Sequence, residues 1–338
     1  MLSRTIGDYH FLADSKTGTT FRWGKTFDED PLFAPVPELA DISISNRCHK
    51  GCGFCYRQST GDGALMSLKD YCDVLDSMNS PEYGNVFQVA LGGGEPLEHP
   101  DFMEIINETV KRGIVPNFTT NGALLTESLL DDIRGKVGAL AISISDVEEI
   151  IRLKDILSAS LRIKVNLHYI LSRRSVEQAI DIVRGKYDYL LDSINAVIFL
   201  TYKPAGRGSA NDVLMAGKEL SEFLHCIKHP QTMCRIGFDA CFVPMILSQD
   251  QTLSNYVDFC EGGFFSVYIN EKKEVSPCSF SNGKDAYSLD EYDFYDIWLN
   301  KFQLYRNKQT NGCAADCSVR HLCRGACPYY PHITTCYK

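Results

Sequence analysis

The sequence predicts an α/β chain, a partial (β/α)6 barrel followed by a small cysteine-rich domain. Three observations lead there. Six apolar β-type runs alternate with amphipathic helical patterns from about residue 38 to 210. Six such units are fewer than the eight of a closed (β/α) barrel, so the sheet should stay open. Beyond residue 256 strand signals fade while Cys, Gly and Asn rise, as in a small unit held by metal instead of a large core. The expected division is therefore 1–37, a hairpin and approach segment; 38–210, the partial barrel; 211–255, a bridge; and 256–338, the cysteine-rich domain.

The elements follow in order. YHFLAD and TTFRWG flank SKTG, whose Gly18 can take the positive φ of a tight turn, so they form a hairpin. DEDPLFAPVPEL leads in extended form to the first barrel strand. The six strands are ADISIS (40–45), NVFQVAL (85–91), VPNFTT (115–120), GALAISI (138–144), LRIKVNLHYI (161–170) and NAVIFLT (195–201). Helical patterns lie between them, and Ser67, Asp101, Thr126 and Ser175 stand where N-caps are needed. Strands separated by helices pair in parallel through right-handed crossovers, and functional residues then gather at the strands' C-terminal ends. Cys48 follows the first strand, Gly92 the second and Asn121 the third, while Gly206 lies shortly past the sixth. The bridge holds a helix, KELSEFLHCIKH, and a strand-like stretch, RIGFDACFV.

Composition removes several function classes. Lys plus Arg is 34 against 43 Asp plus Glu, a net charge of −9, and no basic block stands out. Such a chain is a poor match for a phosphate backbone, so no nucleic-acid partner is expected. No apolar run approaches the ~18 residues that span a bilayer, and the start, MLSRTIGDYHF, lacks the apolar core of a signal peptide. A soluble, cytoplasmic protein with no membrane partner is expected.

Fourteen cysteines are too many for an ordinary enzyme of a reducing compartment, and they are clustered. Clustered cysteines without an export signal point to metal. NRCHKGCGFCYRQ sets Cys48, Cys52 and Cys55 in a C-x3-C-x2-C loop directly after a strand. Three thiolates with no fourth cysteine nearby suit an iron–sulfur cluster with one iron left open. A zinc site with His49 as fourth ligand is the other reading, although that ring, between the first two cysteines, points away more easily.

This loop, followed by Tyr56 and then by LGGGEP after the second strand, resembles the radical S-adenosylmethionine superfamily. The resemblance implies that Cys48, Cys52 and Cys55 hold a [4Fe–4S] cluster whose open iron chelates S-adenosylmethionine, with Tyr56 against the adenine. Gly92, Gly93, Gly94 and Glu95 match the family's methionine-binding loop; glycines after a strand let backbone approach a ligand closely. Asn121 in TTNG (119–122), Ser143 in SIS (143–145) and Asn166 stand where similar enzymes place polar contacts to the methionine carboxylate and ribose. YKPAGRG (202–208) looks like the segment after the sixth strand in peptide-modifying members.

The C-terminal cysteines resemble the SPASM extension of the same superfamily, which holds two auxiliary [4Fe–4S] clusters. By position, Cys313, Cys317, Cys323 and Cys336 would bind one cluster. Cys260, Cys278 and Cys327 would bind the other, with Cys241 as its fourth ligand; Cys234 is the competing candidate. Paired short-spaced cysteines also bind zinc, the alternative reading of this tail. Two departures stand out: Cys313-x3-Cys317 replaces a usual C-x2-C, and Lys273 replaces a usual glycine, which weakens the expectation of a hairpin between Cys260 and Cys278. Cys72 and Cys226, within helical patterns, read as small core residues.

The resemblance implies an enzyme that reductively cleaves S-adenosylmethionine to a 5′-deoxyadenosyl radical and takes hydrogen from a substrate. SPASM enzymes mostly modify ribosomally made peptides, so a peptide substrate and a flavodoxin- or ferredoxin-like reductant are expected. Ser279 stands where the sulfatase-maturing branch carries Asp, which ranks that activity low. The segment before residue 38 is too short for a full precursor-binding domain. A separate leader-binding protein, a short leader or a small-molecule substrate such as a tetrapyrrole, sugar or nucleoside would each account for it. A zinc-binding interaction protein is the remaining alternative.

Overall fold

The computed structural model describes residues 1–159, 163–249, 251–311 and 327–333. At the N-terminus β1 (Leu2–Ile6), β2 (Tyr9–Asp14) and β3 (Thr19–Trp23) form an antiparallel sheet. The expected hairpin is β2–β3. A second one precedes it, turning at Gly7 with φ 57°, and the alternation of LSRTI before Gly-Asp was its unread signal.

The six barrel strands appear in the expected order: β4 (Leu39–Ser45), β5 (Gln88–Gly93), β6 (Val115–Thr120), β7 (Leu140–Ile144), β8 (Val165–Leu171) and β9 (Ala196–Thr201). Each is parallel to the next and hydrogen-bonded to it. One face of each strand buries aliphatic and aromatic side chains such as Ile42, Leu91, Phe118, Ile142, Leu167 and Val197 under the helices. These helices span Leu68–Ser77, Phe102–Lys111, Glu127–Ile133, Lys154–Ala159 and Val176–Val183. Because side chains alternate along a strand, Asp41, Gly92, Thr119, Ser143, Asn166 and His168 take the opposite, concave face.

Two of the four expected caps form. Ser67 accepts from the Asp70 amide, and Thr126 from the Leu129 amide. Asp101 and Ser175 make no capping bond with their side chains. The chain reaches Asp101 from a 3-10 turn (Pro96–Glu98) already wound toward the helix, with His99 Nδ1 accepting the Asp101 amide at 3.1 Å. Ser175 is spent on its own approach turn: its hydroxyl donates to the Ile170 carbonyl at 2.6 Å and accepts the Ser172 amide at 2.9 Å.

The sheet is longer than six strands. β10 (Arg235–Phe238), from the bridge, adds in parallel to β9; the rest of RIGFDACFV turns into a helix, Val243–Gln249. At the other end β11 (Ser266–Ile269) pairs in parallel with β4, and β12 (Glu274–Ser276) and β13 (Tyr287–Ser288) follow antiparallel. The cysteine-rich segment thus begins by extending the barrel sheet.

The doubtful hairpin between Cys260 and Cys278 forms, as β11–β12, with Lys273 itself at φ 61°. A lysine bears this left-handed conformation because its neighbourhood holds it. Asn270 Oδ1 accepts the Lys272 and Glu274 amides at 2.9 and 3.0 Å, and Lys273 Nζ pairs with Asp290 and with Asp70. Among the described residues no helix is long and apolar enough to cross a membrane.

Candidate active site at the mouth of the open barrel

The cysteine loop leaves β4 at Ser45 and folds over the C-terminal ends of β5 and β6. The thiols of Cys48, Cys52 and Cys55 are all free and half-buried. The loop is pinned from below. Gly94 and Glu95 donate their amides to the carbonyls of Ser45 and Arg47 at 2.6 and 2.7 Å. His49 turns outward: its amide and Nδ1 lie 3.0 and 2.8 Å from the Glu98 carboxylate, and its side chain is 72% exposed. The zinc reading needed this ring beside the thiols.

The glycine-rich loop divides its work. A Cβ on Gly93, at φ 108°, would lie 2.1 Å from Ser43 Oγ and 2.2 Å from the Ser45 carbonyl, so this glycine exists for the close approach of β4. A Cβ on Gly92 would meet nothing within 4 Å, so its backbone stands open toward the concave face. Glu95, 1% exposed, accepts from Thr120 Oγ1 at 2.6 Å, the Asn121 amide at 2.7 Å and the Leu97 amide at 3.2 Å. Burial raises the pKa of this carboxyl while those donors oppose the rise. Its contacts fix the end of β6 and aim Asn121, whose Nδ2 reaches to 3.7 Å from Cys48 Sγ.

Ser143 and Asn166 both lie on the concave face, and Asn166 Oδ1 accepts from Asn195 Nδ2 at 2.8 Å. Tyr56 leaves the loop toward the far wall, where its ring stacks on Phe280 with centroids 4.3 Å apart. Burial, then the charge of Asp41, pushes its phenol pKa up.

Sequence reasoning left YKPAGRG without a role, and the structure supplies one. Arg207 donates its amide to the Cys55 carbonyl at 3.1 Å, Nε to the Cys52 carbonyl at 2.9 Å and a guanidinium N–H to the Ser59 carbonyl at 3.0 Å. At Gly206 the Tyr56 carbonyl would stand 2.4 Å from any Cβ. This segment therefore clamps the cysteine loop from the opposite side of the barrel.

Two further polar side chains on the concave face were missed. His168, paired in register with Ser143 and Ile198, has its pKa lowered to about 4 by burial. Asp41, in register with Ala90 and Tyr268, has its carboxyl pushed up to about 7 by burial against the pull of Arg57. Each is a titratable side chain in the polar phase of a barrel strand's alternation, beside Ser43 and Asn166 respectively, which was the available signal.

Four of the other described cysteines, Cys241, Cys260, Cys278 and Cys327, gather on the Phe280 side of the barrel. The thiols of Cys241 and Cys327 are hydrogen-bonded neighbours, which raises the pKa of Cys241 and lowers that of Cys327. Burial lifts Cys260 and pushes Cys278 up to about 12, with the charge of Cys327 adding to both and that of Cys260 adding to Cys278. Cys234 stands apart, its Sγ 3.9 Å from the Ile194 carbonyl, and Cys226 is buried in the helix layer. Cys313, Cys317, Cys323 and Cys336 lie outside the described residues. Among the described residues no three such side chains are drawn to the spacing of a single metal ion; a four-iron cluster distributes its thiolates over several irons and needs a wider cage.

A cavity of about 1190 Å³ opens between the two strands that flank the six of the barrel, walled by β10 on one side and β11 on the other. Asp41, Tyr268, Cys260 and Cys278 line it. A smaller one, about 530 Å³, lies on the outer side of the cysteine loop against Arg47, Lys50, Asn121 and Arg152.

The site is an open parallel barrel with three free thiols on one loop over its mouth and the open backbone of Gly92 beside them. The description "Radical SAM superfamily" matches residues 42–197, from the first barrel strand into the sixth. The chain carries a radical SAM domain and is a radical S-adenosylmethionine enzyme, a family whose cofactors are a [4Fe–4S] cluster and S-adenosylmethionine. It is 23% identical over 324 residues to mycofactocin maturase MftC of Mycobacterium tuberculosis, covering 88% of this chain and 80% of that protein. A tungsten-containing aldehyde ferredoxin oxidoreductase cofactor-modifying protein of Pyrococcus furiosus is 24% identical over 329 residues, covering 83% and 87%. Among solved structures, Streptococcus suis SuiB bound to precursor peptide SuiA superposes with a TM-score of 0.68 at 18% identity, covering 89% of this chain and 75% of that one.

Proposed function

We propose that this enzyme modifies a ribosomally made peptide, and that the cavity between β10 and β11 receives it. The cavity's volume, about 1190 Å³, carries this reading: it exceeds the roughly 300–1,000 Å³ usual for small-ligand sites. The names of MftC as a maturase and of SuiA as a precursor peptide point the same way. The name of the Pyrococcus relative favours a small-molecule substrate instead, and the substrate assay below separates the two.

Cys48, Cys52 and Cys55 would hold the cluster, and the donor set fits it: three thiols on one short loop, no fourth, and an open approach at Gly92. Once bound and reduced, the cluster with S-adenosylmethionine supplies the one-electron chemistry that removes hydrogen from an unactivated carbon. The protein's part is positioning. Arg207 and Glu95 hold the loop and Asn121. Gly92, Gly93, Gly94 and Glu95 form the methionine-binding loop, with Gly92 the point of backbone contact. Ser143 and Asn166 offer polar contacts from the concave face, and Tyr56, braced by Phe280, lies beside the adenine.

Cys241, Cys260, Cys278 and Cys327 would bind one auxiliary [4Fe–4S] cluster, with Cys241 preferred to Cys234 because its thiol meets Cys327. Cys313, Cys317, Cys323 and Cys336 would bind a second, completing a SPASM-like domain. An external flavodoxin- or ferredoxin-like reductant and a separate leader-binding protein are the partners this reading implies, in a cytoplasmic setting.

Anaerobic reconstitution with iron, sulfide and a strong reductant should yield 5′-deoxyadenosine, and Cys52→Ala should abolish it. Wild-type yield from Cys52→Ala refutes the cluster assignment. Incubation with short peptides encoded beside the gene, read by mass spectrometry, tests the substrate. Unmodified peptides alongside turnover of a small cofactor would overturn the peptide reading.

A further inference from the structure

We propose that Lys203 is the buried countercharge of the auxiliary thiol cage, a positioning residue that balances the negative charge gathered by Cys241, Cys260, Cys278 and Cys327. The inference rests on the auxiliary-cluster reading above. Lys203 comes from the same YKPAGRG segment whose Arg207 clamps the first cysteine loop. Its side chain is only 4% exposed, and it is held on three sides. Nζ donates to Asp239 Oδ2 and to the Thr201 carbonyl, each at 3.2 Å, and sits 4.4 Å from the centre of the Phe280 ring. Asp239 is itself fixed by Thr201 Oγ1 at 2.6 Å.

These partners belong to the cage. Asp239 is two residues before Cys241, and Phe280 is two residues after Cys278.

A buried Lys–Asp pair by itself is a weak source of stability, because desolvating both groups offsets their attraction. Its placement gains a reason once four thiolates share the region. Their summed negative charge, in a site of low effective dielectric, must be met by a cation close by and shielded from water. Net charge around a cluster is also one of the quantities that sets its reduction potential. A fixed cation favours the reduced, more negative form. Removing it should make the cluster harder to reduce.

The test uses the full chain, reconstituted anaerobically with iron and sulfide. Iron content and a redox titration followed by electron paramagnetic resonance are measured for wild type, Lys203→Arg and Lys203→Met. The auxiliary signal is the one that Cys278→Ala removes. Lys203→Met should move its midpoint to more negative potential or lose about four irons per chain, one cluster's worth. Lys203→Arg, which keeps the charge, should restore both. If Lys203→Met does not fold, Asp239→Asn, which leaves the Lys203 charge unopposed, is read in its place: it should move the midpoint to more positive potential, and an unchanged midpoint overturns the proposal. Wild-type iron and potential in the neutral variant overturn the proposal, as does an arginine variant as impaired as the methionine one. Should Cys241→Ala/Cys278→Ala keep wild-type iron, the auxiliary-cluster reading itself fails, whatever Lys203 does.

Discussion

Adjacent glycines of the GGGE loop should respond in opposite ways to the same added methyl group. In Gly93→Ala the new Cβ falls 2.1 Å from Ser43 Oγ and 2.2 Å from the Ser45 carbonyl, at a φ of 108°. The backbone conformation alone costs roughly 1–3 kcal/mol for a residue with a side chain. Overpacking against a strand that cannot retreat adds roughly 1–3 kcal/mol more. The sum, about 2–6 kcal/mol, is a large share of the roughly 5–15 kcal/mol that holds a domain folded. In Gly92→Ala the Cβ meets nothing within 4 Å, so stability should stay within about 0.5 kcal/mol of wild type. On the proposed methionine-binding role of Gly92, that methyl instead takes up the space left for the ligand, and S-adenosylmethionine affinity should drop. Urea unfolding of the anaerobically reconstituted protein and a binding titration measure the two effects. A Gly93→Ala midpoint equal to wild type, or Gly92→Ala with unchanged affinity, would refute the division of labour.

Arg207→Ala removes two side-chain bonds to the cysteine loop, worth about 1–2 kcal/mol at this exposed position, and should hasten iron loss to a chelator and lower stability by about that amount. Equal chelation rates in wild type and variant would mean the clamp is idle. Asp41 sets a pH dependence. Its folded-state pKa, about 7, lies above the ordinary 3.8, so the folded protein keeps the proton longer and stability falls as pH rises from about 4 to about 7. At about 1.4 kcal/mol for each pH unit in that window the ceiling is about 4 kcal/mol, with Arg57 the charge that limits it and Tyr56, Tyr268 and Glu271 the other titratable groups nearby. Asp41→Asn should flatten that part of the stability curve, and superimposable curves for the two proteins would sink the argument.

The sequence by itself determined the six parallel strands and their order, because hydrophobic alternation and helix-start signals are local. It also placed the thiols of Cys48, Cys52 and Cys55, which sit within one short loop. Asp101 and Ser175 show where local reading stops: both are good capping residues, yet the incoming turn had already used or misaligned their side chains. Lys273 shows the reverse, a poor turn residue made acceptable by Asp70 and Asp290 from other parts of the chain. Only the tertiary structure decided which glycine of GGGE stands open and which is packed against β4, since that depends on how closely β4 approaches. Only it brought Cys241 to Cys327, and Lys203 to Asp239, because β10 and β11 must first take their places on either side of the six barrel strands. Contacts of that kind are set by the register and curvature of the sheet as a whole, and no window of the sequence contains them.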